Sequence, residues 1–212
     1  MKNWSLLHPD IKLIVFTDSE YWKERCNELQ ISWTDSFEYF FFFSILLNRT
    51  NPNNLPFFTS MTDYLQDHYQ STFYGYVNGD ILIHSTLYNS LLQLSKQFHS
   101  SQHILIVGRR YNFPVLAGFL KPLTSQDLFD QFITDSTLLN EQFIPVAQDF
   151  FIFSKNTLTK KNVAPVVIGR NRYDNYLLTV CKLDPSCSLI DVSYSGSFIG
   201  RSFIISYCIT FI

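Results

Sequence analysis

The sequence predicts an α/β fold, and three observations carry that prediction. Short β-branched and aromatic runs, Ile11–Phe16 and His103–Gly108, have the composition of buried strands. Segments with apolar residues at helical intervals alternate with them, over 60–69, 85–98, 125–139 and 173–183. The chain has 212 residues, 46% of them hydrophobic and only 16% charged, which suits one domain with a real core and not a disordered chain.

In chain order, Ile11–Phe16 is the first strand. Thr17-Asp18-Ser19 follows, with Glu20 and Glu24 behind, so Asp18 or Thr17 is read as the cap of a helix running to about Leu29. Ile31-Ser-Trp33 is a second short strand, and strand, helix, strand begins a βαβ unit. Residues 36–47 are too apolar for a surface helix and too long for an ordinary strand, whereas 48–56 is a loop dense in Asn and Pro. A helix with Met61, Tyr64, Leu65 and His68 on one side leads into the strand that starts at Phe73. Further on, residues 85–98 and 125–139 are helical, and Ala147 to Phe153 is a strand or strand edge. Residues 155–162 form a polar connection, 165–168 a short strand, 173–183 an amphipathic helix and 189–192 a last strand.

Composition narrows the function classes. A net charge of −2 gives no electrostatic signature for nucleic acid. No run reaches the roughly 18–20 apolar residues of a membrane-spanning helix, and the first residues lack the apolar core of a signal peptide, so a cytoplasmic setting is the default expectation. Cys26, Cys181, Cys187 and Cys208 form no Cys-x-x-Cys pair and are read as reduced thiols, not as zinc ligands. There is no Gly-x-Gly-x-x-Gly loop and no Walker A pattern to suggest an ordinary Rossmann domain or a P-loop.

Phe73 to His84 holds the strongest candidate for a ligand site in the sequence. It reads as an apolar strand, a polar turn Asn78-Gly79-Asp80, and a further apolar stretch. Asp80 then stands at the carboxyl end of a strand, where open α/β sheets bind ligands. A carboxylate with an amide two residues before it can hold a hard divalent cation through oxygen; a plain β-turn without a ligand is the alternative.

This segment resembles the Asp-x-Asp motif of GT-A-fold, nucleotide-sugar-dependent glycosyltransferases in the variant form Asn-x-Asp. Residues 14–19, 104–110, 147–153 and 167–175 add to the resemblance in the same order. Together they are similar to a divergent nucleotide-diphospho-sugar transferase-like family, to which the glycosyltransferase-like domain of the oestrogen-regulated GREB protein belongs. The resemblance spans roughly residues 10 to 193. It implies a Rossmann-like GT-A fold, with a mixed central sheet flanked by helices, as one domain over 1–193, and sets residues 194–212 apart as an atypical apolar tail.

The resemblance also implies roles. Asn78 and Asp80 would hold Mn²⁺ or Mg²⁺. Thr17 and Asp18 would meet the nucleoside, with helix capping as the other reading. Arg109 and Arg110 would face the diphosphate, since guanidinium forks suit phosphate oxygens; otherwise they are loop arginines. Asp149 would be the general base that deprotonates the acceptor, or else a turn residue. Arg170, Asp174 and Asn175 would contact phosphate and sugar, or Asp174 would cap the following helix. The partners implied are a nucleotide-sugar donor and an unknown acceptor. One departure stands out: the family pattern carries a further His after the last strands, and nothing beyond Ser193 is a histidine. That departure keeps a second expectation open, an inactive GT-A-like binding or structural module.

Overall fold

The computed structural model describes residue 3 and residues 6–35, 57–78, 81–98, 102–112, 123–139, 148–168, 172–193, 198–200 and 206–211. Ten strands and five helices are formed by these residues. The strands are β1 (Ile11–Phe16), β2 (Ser32–Thr34), β3 (Phe73–Asn78), β4 (Ile81–Ile83), β5 (His103–Gly108), β6 (Tyr111–Asn112), β7 (Phe150–Ser154), β8 (Cys187–Asp191), β9 (Phe198–Gly200) and β10 (Ser206–Phe211). The helices are α1 (Glu20–Glu28), α2 (Phe58–His68), α3 (Thr86–Gln97), α4 (Gln126–Leu139) and α5 (Tyr173–Leu183).

Seven strands make the main sheet, in the order β2-β1-β10-β3-β7-β5-β8. The β1–β2 and β5–β8 pairs are parallel, and the four pairs between β1 and β5 are antiparallel. It follows that β1, β2, β3, β5 and β8 run one way and β7 and β10 the other. A second, three-stranded sheet has the order β4-β9-β6, and α4 packs against its β4 and β9. The molecule is a mixed α/β fold built on a mixed sheet.

Both faces of the main sheet are covered, because its strands are apolar at successive positions and cannot leave a face to water. Leu13, Val15, Phe73, Val77, Ile104, Ile106, Phe150 and Ile152 point to one side, against Cys26 of α1 and Leu87 and Leu91 of α3. Ile14, Phe16, Tyr74, Tyr76, Leu105, Val107, Phe151 and Phe153 point to the other, against Phe58, Met61 and Leu65 of α2 and Leu177 of α5. This period-two division is what a pleated strand imposes, and it fixes the sheet's register between two helical layers.

Several elements coincide with their sequence reading, β1, β5 and α5 to the residue. Others differ. The strand expected from Ala147 begins at Phe150, because Gln148 and Asp149 are drawn into side-chain contacts described below. The short strand expected over 165–168 amounts to one bridge, Phe57 to Val167. Helix α1 starts after Ser19, not Asp18 or Thr17; Thr17 Oγ1 accepts from the Ser19 N–H in a local turn. The chain leaves α1 through Gln30, whose φ is 55°, while the Ile31 N–H donates to the Cys26 carbonyl. Asp174 is not the cap of α5: that position is Arg172, and Asp174 lies inside the first turn.

Two further findings depart from the sequence reading. The stretch set apart as a tail supplies β9 and β10, and β10 lies between β1 and β3 in the middle of the main sheet. Cys181 and Cys187, expected as reduced thiols, form a disulfide with a Cα–Cα distance of 5.3 Å. Their six-residue separation is not a metal-type spacing, and only the turn from α5 into β8 brings them together. Cys26 is a buried free thiol. The segments 36–56 and 169–171 and residues 79–80, with Asp80 and Arg170 among them, lie outside the described residues.

Candidate functional site

A sheet in which five strands share one direction concentrates their carboxyl ends along one edge. Thr17 and Asp18 follow β1, Asn78 closes β3, Gly108, Arg109 and Arg110 end β5, and Asp191 and Ser193 end β8. Antiparallel β7 enters from the same edge, so Gln148 and Asp149 stand there too. Neighbouring strands lie about 4.8 Å apart, which puts Asn78 within about 10 Å of the end of β5 and Thr17 a similar distance to the other side. Of the residues nominated from sequence, the structure brings Thr17, Asp18, Asn78, Arg109, Arg110, Asp149, Asp174 and Asn175 to this edge or beside it.

The centre of the edge is a buried ion pair. Arg110 Nη1 meets Asp149 Oδ1, the Arg110 N–H donates to Asp149 Oδ2 at 3.1 Å, and both side chains are 4% exposed. The Asp149 backbone is held as well: its N–H donates to the Gly108 carbonyl at 3.0 Å, and its carbonyl accepts from the Asn78 N–H at 3.3 Å. Asp149 therefore ties β3, β5 and β7 together at their ends. A carboxylate between two donors of one arginine, closed off from water, is a strong positioning element. To act as a general base it would first have to part from Arg110.

Arg109 is held differently. Its N–H and its Nε both donate to Ser193 Oγ, at 3.1 and 3.2 Å. Ser193 is buried, and its own N–H donates to Asp191 Oδ1 at 2.9 Å. The Val192 N–H donates to the Val107 carbonyl, which carries the β5–β8 pairing one residue past the strand. Gly108 makes this approach possible: a Cβ there would lie 2.4 Å from Phe150 Cζ and 3.3 Å from the Ser193 nitrogen. Ser193 and Gly108 were not nominated from sequence; the only signal was their place directly after or at the end of apolar strands.

On the α5 side, Asp174 Oδ2 accepts from the Gln148 N–H at 3.3 Å, and Oδ1 accepts from the Asn175 N–H at 2.9 Å. Asn175 itself is exposed, as is Asp18. Tyr76 donates to Asn78 Oδ1 at 2.8 Å. Burial pushes the Tyr173 hydroxyl upward from its ordinary value; Asp174 and Asp149 act in the same direction, and Tyr76 works against them. The Tyr76 hydroxyl orients the Asn78 amide at the strand end.

As a cation site, the edge is only part of a set. Asn78 Oδ1 is an oxygen ligand of the right kind, and Asp80, its expected companion, lies outside the described residues. Among the described residues no three His, Cys, Asp or Glu side chains come together as a metal-binding group.

A cavity of about 480 Å³ opens at the opposite edge of the sheet, lined by Ser71, Phe73, Phe98, Gln102, Ser154 and Lys155 among others. Its hydroxyls serve the protein: Ser71 Oγ donates to the Phe73 carbonyl, and Ser154 Oγ donates to the Gln102 carbonyl and accepts from the Ile104 N–H. The polar groups gathered at the carboxyl edge make that edge the better candidate.

No family model, curated protein or solved structure matches this chain. The reading of the site therefore rests on its own geometry. No described helix is long and apolar enough to cross a membrane.

Proposed function

We propose that the chain is a glycosyltransferase of the GT-A kind, which moves a sugar from a nucleotide-diphosphate donor to an acceptor. The observation that carries the reading is the gathering of Asn78, Arg109, Arg110 and Asp149 at the carboxyl edge of a mixed sheet, with Thr17 and Asp18 along the same edge. Ligands of open α/β sheets bind outside the carboxyl ends of the strands. In this reading the diphosphate faces Arg109, with the nucleoside toward Thr17 and Asp18 and the sugar toward Asp174 and Asn175. Asn78 and Asp80 hold Mn²⁺ or Mg²⁺, which would offset charge on the departing diphosphate. Asp149 either is the base or, paired as it is with Arg110, fixes the strand ends around the donor.

That same ion pair favours a second reading, a GT-A-like module that binds a nucleotide without turning it over. Calorimetric titration with uridine and guanosine diphosphates plus Mn²⁺ tests both. Binding together with donor hydrolysis supports the enzyme. Binding without hydrolysis under any acceptor supports the module. No heat with either nucleotide, and Asp80→Ala indistinguishable from wild type, removes both.

A further inference from the structure

We infer that the Cys181–Cys187 disulfide is a redox-labile brace, and that a dithiol reductant loosens the candidate site by opening it. The inference takes the site to be the carboxyl edge described above. Helix α5 and strand β8 form one arm of the molecule. The amino end of α5 reaches the site through Tyr173 and Asp174, and the carboxyl end of β8 reaches it through Asp191 and Ser193. The disulfide closes the other end of the arm, joining the last turn of α5 to the first residue of β8.

Among the described residues β8 is the outermost strand of the main sheet and pairs there with β5 alone, with one side-chain bond from Gln102 Nε2 to Ser188 Oγ beside that pairing, and its residues are half-buried or exposed. Cys187 is half-buried and is the more accessible of the two, whereas Cys181 is buried under the sheet among the residues that α2 and α5 cover. The turn between them keeps a second, polar tie: Asp184 accepts from Ser186 and meets His103 Nδ1 at 2.9 Å. Opening the disulfide thus loosens the arm without releasing it.

The chemistry balances with a dithiol as co-reactant. One thiolate of the reductant attacks Cys187 Sγ, the protein S–S bond breaks, and Cys181 leaves as a thiolate that takes up a proton. The second thiol of the reductant then displaces Cys187 from the mixed disulfide. Two electrons pass to the protein, and the reductant ends as its own disulfide.

Two amides report on the arm directly. The Arg109 N–H is held by Ser193 Oγ and the Gln148 N–H by Asp174, whereas the Thr17 N–H, held by the Thr34 carbonyl, lies at the far end of the sheet. The experiment is hydrogen exchange on the full chain, oxidised, reduced with dithiothreitol, and reoxidised. Thiol counting in denaturant should first find two fewer free thiols in the oxidised chain than in the reduced one; equal counts overturn the inference. On reduction, exchange at Arg109 and Gln148 should rise about tenfold, in keeping with the modest contribution of a short disulfide loop, while Thr17 is unchanged and reoxidation restores protection. Unchanged Arg109 and Gln148, or Thr17 rising equally, overturns it. Cys187→Ser should exchange like the reduced chain without reductant; if that variant does not fold, the reduction and reoxidation of wild type decide alone. Uridine and guanosine diphosphates plus Mn²⁺, titrated into both forms, separate this inference from the functional reading. Exchange that responds in a chain binding no nucleotide in either form upholds the brace and removes the glycosyltransferase reading. Binding that is equal in both forms, with exchange unmoved, does the reverse.

Discussion

Removing one partner of the Arg110–Asp149 pair should cost far more than removing both. Both side chains are 4% exposed, so the figure of about 0–1 kcal/mol for a surface pair does not apply. Asp149→Leu strands a guanidinium in the interior and takes the acceptor from the Arg110 N–H, a loss of about 3–5 kcal/mol. Arg110→Met strands the carboxylate, at a comparable cost. In the double variant neither charge remains, and a buried pair replaced by apolar groups is often close to neutral. The backbone N–H at position 110 still lacks its acceptor, which leaves the double variant about 1–3 kcal/mol below wild type. The two single losses therefore overshoot the double loss by at least about 3 kcal/mol, a large share of the roughly 5–15 kcal/mol that holds an ordinary domain together. Urea denaturation of the four proteins, compared at equal slope, measures that difference. Single losses that add to the double within about 0.5 kcal/mol would show the two groups to be independent. The ion pair could then not be the side-chain element that holds the end of β5 to the start of β7 at the site.

Two further outcomes follow from local geometry. Gly108→Ala forces a methyl to within 2.4 Å of the fully buried Phe150 ring, so thermal or urea unfolding should register a loss of about 1–3 kcal/mol, together with weaker protection of the Arg109 amide; wild-type stability would contradict the packing. Hydrogen bonds from Ser186, then His103, hold the Asp184 carboxyl down to about 2 from an ordinary value of 3.8. Because the folded value is the lower one, the stabilisation is present above about pH 4 and is lost as pH falls through about 2. An NMR titration of Ser186→Ala should move Asp184 back toward the ordinary carboxylate range, and an unchanged midpoint would refute the assignment.

The parts of the fold that were legible in sequence are those whose information is local. β1 and β5 are unbroken apolar runs, and α5 repeats apolar residues at helical spacing, so both periods could be read directly. Thr17, Asp18, Asn78 and Arg109 could be placed because they directly follow or close apolar strands. What was not legible is what depends on partners remote in sequence. The pairing of Arg110 with Asp149 bridges 39 positions, and the hold of Ser193 on Arg109 bridges 84. The disulfide needed the turn at the end of α5, and the bond from the Gln148 N–H to Asp174 needed α5 beside β7. No local pattern announces such pairs, since their geometry exists only once the sheet order is set.

The place of β10 has a consequence for how the molecule is made. β1 and β3 do not pair with each other; Ser206–Phe211 bridges them, bonding to Ile11–Ile14 on one side and Phe73–Asn78 on the other. During synthesis two early strands therefore wait with open flanks until the chain has been made through Phe211. Unpaired strand flanks recruit other chains, and pairings this remote form slowly. A ribosome stalled short of residue 206 would carry a protein with a gap at the middle of its sheet, a natural target for a chaperone.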